Sequence, residues 1–257
     1  MTLWVFGDSF AAEYWTQDAD FPHYYATLAD RLKTGYEQYG VGGSSAEYTY
    51  EQFHKHKSKI KANDTLVFAL TTPTRRWFFP DKPMLTSFWS FKTKADDFTP
   101  QEANAFEQYM LHLDHQLLFD LAMTNFLYTL DLFALKQRVT VIVMPCFPDV
   151  AELASRQDLE QVKIAKGTLW KVNDDEFADD FRDDIELIIN DGKPNHLTAT
   201  NHKRLTEKLL QTIQHDDPLD LTTGFVKGSY TKDSIKDANY RLNELGGANA
   251  KIKYKFK

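Results

Sequence analysis

The chain has 257 residues, a formal net charge of -7, one cysteine and 14% aromatic residues. With 42% hydrophobic and 26% charged residues it has the composition of a folded protein of one to two domains, which excludes wholesale disorder. A single thiol, Cys146, excludes an internal disulfide framework and any multi-cysteine zinc site.

The first residues, Met1-Thr2-Leu3-Trp4-Val5-Phe6-Gly7-Asp8, have no basic n-region and too short an apolar run for a signal peptide. No stretch reads as the roughly 18 apolar residues of a membrane span. The expectation is a soluble, cytoplasmic protein. The acidity is local: residues 174–186 hold eight of the 37 acids and one of the 30 bases, and the remainder balances at 29 of each. Without a basic field, nucleic acid is not an expected partner.

In chain order, Leu3–Phe6 is a short apolar run that reads as a buried strand closed by Gly7. Pro22–Leu32 reads as a helix, Tyr36–Tyr39 as a weak second strand, and Ala46–Ile60 as a helix. Asn63-Asp64 reads as a turn before a third strand, Thr65–Leu70, rich in β-branched and apolar residues. Residues 73–100 are irregular, with four prolines and seven aromatics. Thr99-Pro100-Gln101-Glu102 is a helix start, with threonine as cap and proline in the first turn.

Helical spacing then runs to about Gln137, as one long helix or two joined ones. Val139–Met144 is the clearest strand, ended by Pro145. Phe177, Phe181, Ile185 and Ile188 put one apolar face on the acidic segment, and residues 199–214 read as a final helix. Alternating strands and helices predict an α/β three-layer sandwich, with a central, mainly parallel sheet between helices. The domain is expected to cover residues 1–215, with 73–100 as an aromatic insertion and 216–257 as a C-terminal extension. The extension ends in a lysine-alternating stretch, Lys251 to Lys257, that suits an edge strand or a disordered end, with a basic interaction tail as the other reading.

The chemistry concentrates at Gly7-Asp8-Ser9. A serine directly after the first strand lies where a parallel sheet presents its active site. The glycine before it permits a tight turn, and the Ser9 backbone N–H is a candidate oxyanion donor. Gly7-Asp8-Ser9 in this position resembles the first block of the SGNH (GDSL-type) hydrolase superfamily. Asn195-His196-Leu197-Thr198, followed by a helix, is similar to the family's C-terminal histidine block. The form of that block looks most like members encoded by tailed bacteriophages.

The resemblance implies an SGNH-like fold in which Ser9 is the nucleophile and His196 its general base. It implies that Gly43, in Gly40-Val41-Gly42-Gly43-Ser44-Ser45, gives a second oxyanion N–H from a residue without a side chain. The third block departs from the family. Leu70-Thr71-Thr72-Pro73-Thr74-Arg75 puts proline at the approximate place of the family's oxyanion asparagine, and Thr72, Thr74 or Arg75 stands in. The triad acid is displaced too. Lys193 occupies the family's aspartate position, which leaves Asp191, Asn195 or a Ser–His dyad.

Asp8, Arg75 and Trp77 are the expected substrate contacts, the last as part of the aromatic insertion, which either packs on itself or lines a sugar or acyl pocket. The implied activity is hydrolysis of a carboxylic ester, a short acyl ester or an O-acetylated carbohydrate, with no cofactor or metal and no membrane partner. The other implied reading is a catalytically weak or inactive SGNH-like protein that binds a glycan or a virion partner.

Other residues have plainer readings. Gly40-x-Gly42-x-x-Ser45 follows the second strand, where a dinucleotide fingerprint follows the first. His112 and His115 lack a third ligand, His54 and His56 read as surface residues, and Cys146 and His202 as structural.

Overall fold

The computed structural model describes residues 1–12, 22–72, 75–77, 98–172, 197 and 199–226. The acidic segment 174–186, most of the aromatic insertion, His196, Asp191, Asn195 and the lysine-alternating end lie outside the described residues.

Five parallel strands form one sheet in the order β2-β1-β3-β4-β5. They are β1 (Thr2–Gly7), β2 (Gly35–Gly40), β3 (Thr65–Leu70), β4 (Thr140–Pro145) and β5 (Val162–Ile164). Side chains alternate across β1. Leu3 and Val5 join Val67, Ala69, Ile142 and Met144 on one face, whereas Trp4 and Phe6 join Leu66, Phe68, Val141 and Val143 on the other. The first face is covered by α1 (Tyr24–Leu32) and α6 (Ala199–His215). The second is covered by α2 (Ala46–His56), α4 (Gln116–Gln137) and α5 (Pro148–Ser155). Helix α3 (Pro100–His112) precedes α4. The α/β sandwich is thus the fold, with hydrophobic runs in central strands that are buried on both faces.

The long helical segment is two helices. The first opens on a full capping box, in which the Thr99 hydroxyl accepts the Glu102 N–H and the Glu102 carboxylate accepts the Thr99 N–H. Helix α4 is long and apolar enough by composition to cross a membrane, with a mean hydropathy of 1.3, contrary to the expectation that no such stretch exists. Its inner face packs on the sheet through Phe119, Met123, Phe126, Leu127 and Leu130.

Two elements escaped the sequence reading. Helix α5 starts on Pro148, three residues after the proline expected only to end a strand, and β5 is three residues long. The Asp131 carboxylate on α4 accepts the N–H groups of Gln161 and Val162 and fixes the start of β5. The boundary at 215 also moves. Leu219, Leu221 and Phe225 lie in the core cluster with Leu205 and Leu209, and Leu221 donates its N–H to the Lys166 carbonyl. Residues 216–226 therefore belong to the domain.

The amino ends of the central strands are held by buried Asp64. Its carboxylate accepts the Thr2 N–H at 2.7 Å, the Trp4 indole N–H at 2.9 Å and the Lys61 N–H at 2.9 Å, while its carbonyl accepts the Thr140 N–H at 3.1 Å. Replacing it strands several buried donors. Asp64→Ala is expected to cost about 2–3 kcal/mol, measured as a lower urea midpoint with unchanged slope.

Candidate functional site

In this strand order the chain runs from β1 to β2 on one side and from β3 onward on the other. The crevice outside the carboxyl ends of β1 and β3 is the switch point, where α/β sheets bind ligands. Ser9 follows β1, Gly43 follows β2 and Arg75 follows β3.

Close backbone approach shapes the first loop. Gly7 has φ +149°, and a Cβ there would lie 2.4 Å from the Ala69 carbonyl oxygen. A Cβ on Gly40 would lie 2.5 Å from the Ala11 carbonyl carbon, so both glycines let the loop close on its neighbours. The Asp8 carbonyl accepts the Ala11 N–H at 3.0 Å, and the Asp8 carboxylate accepts the Phe10 N–H at 3.0 Å, an Asx turn around Ser9. The Gln38 amide donates to the carbonyls of Ala11 and Gly40. Ser9 is 9% exposed, and its N–H is not spent on a backbone acceptor among the described residues.

The second loop is tied to the first. Val41 N–H and the Ser44 hydroxyl both donate to the Gly7 carbonyl, at 3.2 and 3.3 Å. Gly43 takes φ +79°, a left-handed conformation that suits glycine, within a turn closed by Ser44 N–H to Val41 carbonyl. Ser45 then caps α2 by accepting the Tyr48 N–H.

The third loop brings charge. Arg75 Nη1 donates to Asp8 Oδ2 at 2.7 Å and to Thr71 Oγ1 at 2.8 Å, and its guanidinium lies 5.4 Å from the centre of the Phe147 ring. The Arg75 side chain keeps 21% exposure, whereas Asp8 is fully buried. Asp8 therefore does not meet a substrate, as the sequence suggested. Its oxygens are taken by Phe10, Arg75 and the Cys146 thiol, the last at 3.5 Å. Asp8 is a support for Arg75.

Thr72 is corrected as well. Its hydroxyl donates to Asp149 on α5 at 3.0 Å, which turns it away from oxyanion duty. Trp77 packs edge-to-face on Tyr48, with ring centres 5.5 Å apart.

Arg76, which sequence reasoning passed over, holds this loop from the other side. It bonds Asp114 at 2.8 Å and Glu47 at 3.2 Å, and lies over the Phe119 ring. The adjacent arginines thus diverge, one into the crevice and one into the seam between helices. Beside that seam a cavity of about 190 Å³ opens between α2 and α4, walled by Tyr50, Phe119, Met123 and Phe126.

Cys146 is a packing residue. Burial pushes its thiol well above the ordinary range, and the Asp8 charge adds to this against the opposing pull of Arg75, so it stays protonated. The same burial raises Tyr24, whose hydroxyl has no hydrogen-bond partner among the described residues. His202 is structural, its Nδ1 accepting the Tyr24 N–H at 3.2 Å in the seam between α1 and α6. Leu197, next after His196 in sequence, lies in the core cluster that contains Phe10 and Cys146. His54 and His56 are half-buried, the latter stacked on Tyr39, and burial lowers the pKa of both. Among the described residues no group of His, Cys, Asp or Glu is arranged to hold a metal ion.

No family model matches the chain, and a search of curated proteins finds no match.

Two outcomes test the buried network. Arg75→Met leaves the Asp8 charge buried and uncompensated, at an expected cost of about 3 kcal/mol in urea unfolding. Adding Asp8→Asn restores part of that loss. Cys146 should resist iodoacetamide in the folded protein and react fully in urea.

Proposed function

We propose that the chain is a serine hydrolase of the SGNH type that cleaves carboxylic esters, either short acyl esters or O-acetyl groups on a carbohydrate. The observation that carries the reading is the tying together of the loops after β1, β2 and β3 around Ser9, by the Val41 N–H and Ser44 hydroxyl on the Gly7 carbonyl and by Arg75 on Asp8. A serine hydroxyl is a weak nucleophile unaided, and His196 is the base assigned to it by the resemblance.

The reaction runs by acyl transfer. His196 takes the proton of Ser9 as the serine oxygen attacks the ester carbonyl. The negative charge that develops on the carbonyl oxygen is met by the N–H groups of Ser9 and Gly43. Arg75 replaces the asparagine amide of the family as the third donor. Its cationic fork makes stronger hydrogen bonds than an amide, and Asp8 and Thr71 hold it in place without reorganisation. His196 returns its proton to the leaving alcohol, then draws one from the water that attacks the acyl-enzyme. Asp191 orients the imidazole and stabilises its charged form.

A second reading has its own support. Of the two neutral threonines that could take the asparagine role, Thr72 is held by Asp149, and Thr74 lies outside the described residues. That favours an SGNH-like binding protein with little turnover. Labelling with a fluorophosphonate decides between the two. The esterase labels at Ser9 and hydrolyses short p-nitrophenyl esters, and Ser9→Ala loses both with an unchanged circular-dichroism spectrum. Absent labelling in a folded wild-type chain favours the binding protein. Arg75→Lys keeps a charge for Asp8 but loses the fork, and should lower kcat about 100-fold with little change in KM.

A further inference from the structure

A helix on the outside of an α/β sandwich ordinarily turns a polar face to water. Helix α4 does not. Opposite its buried face stand Leu117, Leu121, Tyr128, Leu132 and Leu135, each between 41% and 60% exposed. At about 100° per residue these five fall within roughly 60° of arc, a straight stripe about 27 Å long. Leu118, with Leu111 and Leu113 at the turn from α3, extends it at one end. Half-exposed on average, these side chains present on the order of 700 Å² of surface, against about 800 Å² per partner in a stable complex.

We propose that this stripe is the contact between two copies of the chain, paired antiparallel about a twofold axis near Phe126. Three observations select a second copy. The four leucines of the stripe are self-complementary under reversal, because Leu117 and Leu135, and Leu121 and Leu132, lie symmetrically about the middle of α4, with Tyr128 facing the neighbourhood of Asn125. A twofold contact requires the same patch on both partners, and antiparallel pairing also opposes the helix dipoles favourably. The charge on the helix is sparse and ill suited to lipid. A helix that docks on an anionic bilayer is rimmed with basic residues, whereas α4 carries Asp120, Asp131 and one lysine, Lys136. The five stripe residues alone present on the order of 500 Å², the larger part of the about 800 Å² that one partner of a stable complex buries.

The 257-residue chain should run as a dimer of about 60 kDa at micromolar concentration in analytical ultracentrifugation, twice its 29.8 kDa. Leu121→Glu with Leu132→Glu should weaken association at least 100-fold and leave the circular-dichroism spectrum unchanged, since both side chains face water in the single chain. Cysteines test the geometry separately. Leu121→Cys mixed with Leu132→Cys should form an intermolecular disulfide on oxidation, and Leu121→Cys alone should not. The native thiol, Cys146, is buried and does not interfere.

A wild-type monomer overturns the proposal. So does a dimer that the glutamate pair leaves intact. Self-crosslinking of Leu121→Cys overturns the antiparallel arrangement. A monomer that binds vesicles of anionic lipid would assign the stripe to a membrane surface instead.

Discussion

The contact between Asp8 and Arg75 joins the loop after β1 to the loop after β3 across the switch point, and the crevice takes its form from it. A carboxylate with no exposure is costly to bury, and its desolvation is offset only because each oxygen has partners. The Phe10 N–H and the Cys146 thiol hold one oxygen, and Arg75 holds the other. Ser9 sits inside the turn that Asp8 makes. The serine is thus positioned by a network that it does not join, which leaves its own groups available for chemistry. The glycines at 7 and 40 are needed for the same reason, since a side chain at either would push the turn off its neighbours.

The central strands are pinned at both ends by a buried aspartate. Asp64 ties the amino end by accepting backbone and indole N–H groups, and needs no cation. Asp8 ties the carboxyl end and has one. The difference follows the surroundings. At the amino end the chain offers donors from Thr2, Trp4 and Lys61 in one place. At the carboxyl end, among the described residues, one backbone N–H, that of Phe10, reaches Asp8, and an arginine crosses the gap. The helices show a parallel contrast. The inner face of α4 completes the core, while its outer face has leucines where the other layers meet water.

Much of this was legible in the sequence. β1, β3 and β4 are apolar runs because they are buried on both faces, and the Thr99–Glu102 capping box is a local signal that tertiary packing did not override. β5 was not legible. Val162-Lys163-Ile164 is too short to establish a period and depends on Asp131, some thirty residues earlier, for its start. Asp8 and Thr72 were assigned to substrate and oxyanion because sequence gives a residue's place on a loop but not the direction of its side chain. Asp8 points in to Arg75 and Thr72 points away to Asp149. The two arginines read alike in sequence, and only the positions of Asp8 and Asp114 separate their roles. The folding back of residues 216–226 was hidden by their polar composition, because the three apolar residues that matter are too few to form a pattern.

The pairing of Arg75 with Asp8 has an electrical consequence beyond placement. A lone guanidinium at the mouth of a crevice casts a field that reaches about a Debye length and gathers anions from solution. Tied to a carboxylate 2.7 Å away, the same group presents a dipole, whose influence fades much faster with distance. The Asp8–Arg75 pair therefore adds little long-range attraction for dissolved anions, while the exposed part of the guanidinium can still hydrogen-bond an oxygen in direct contact with it.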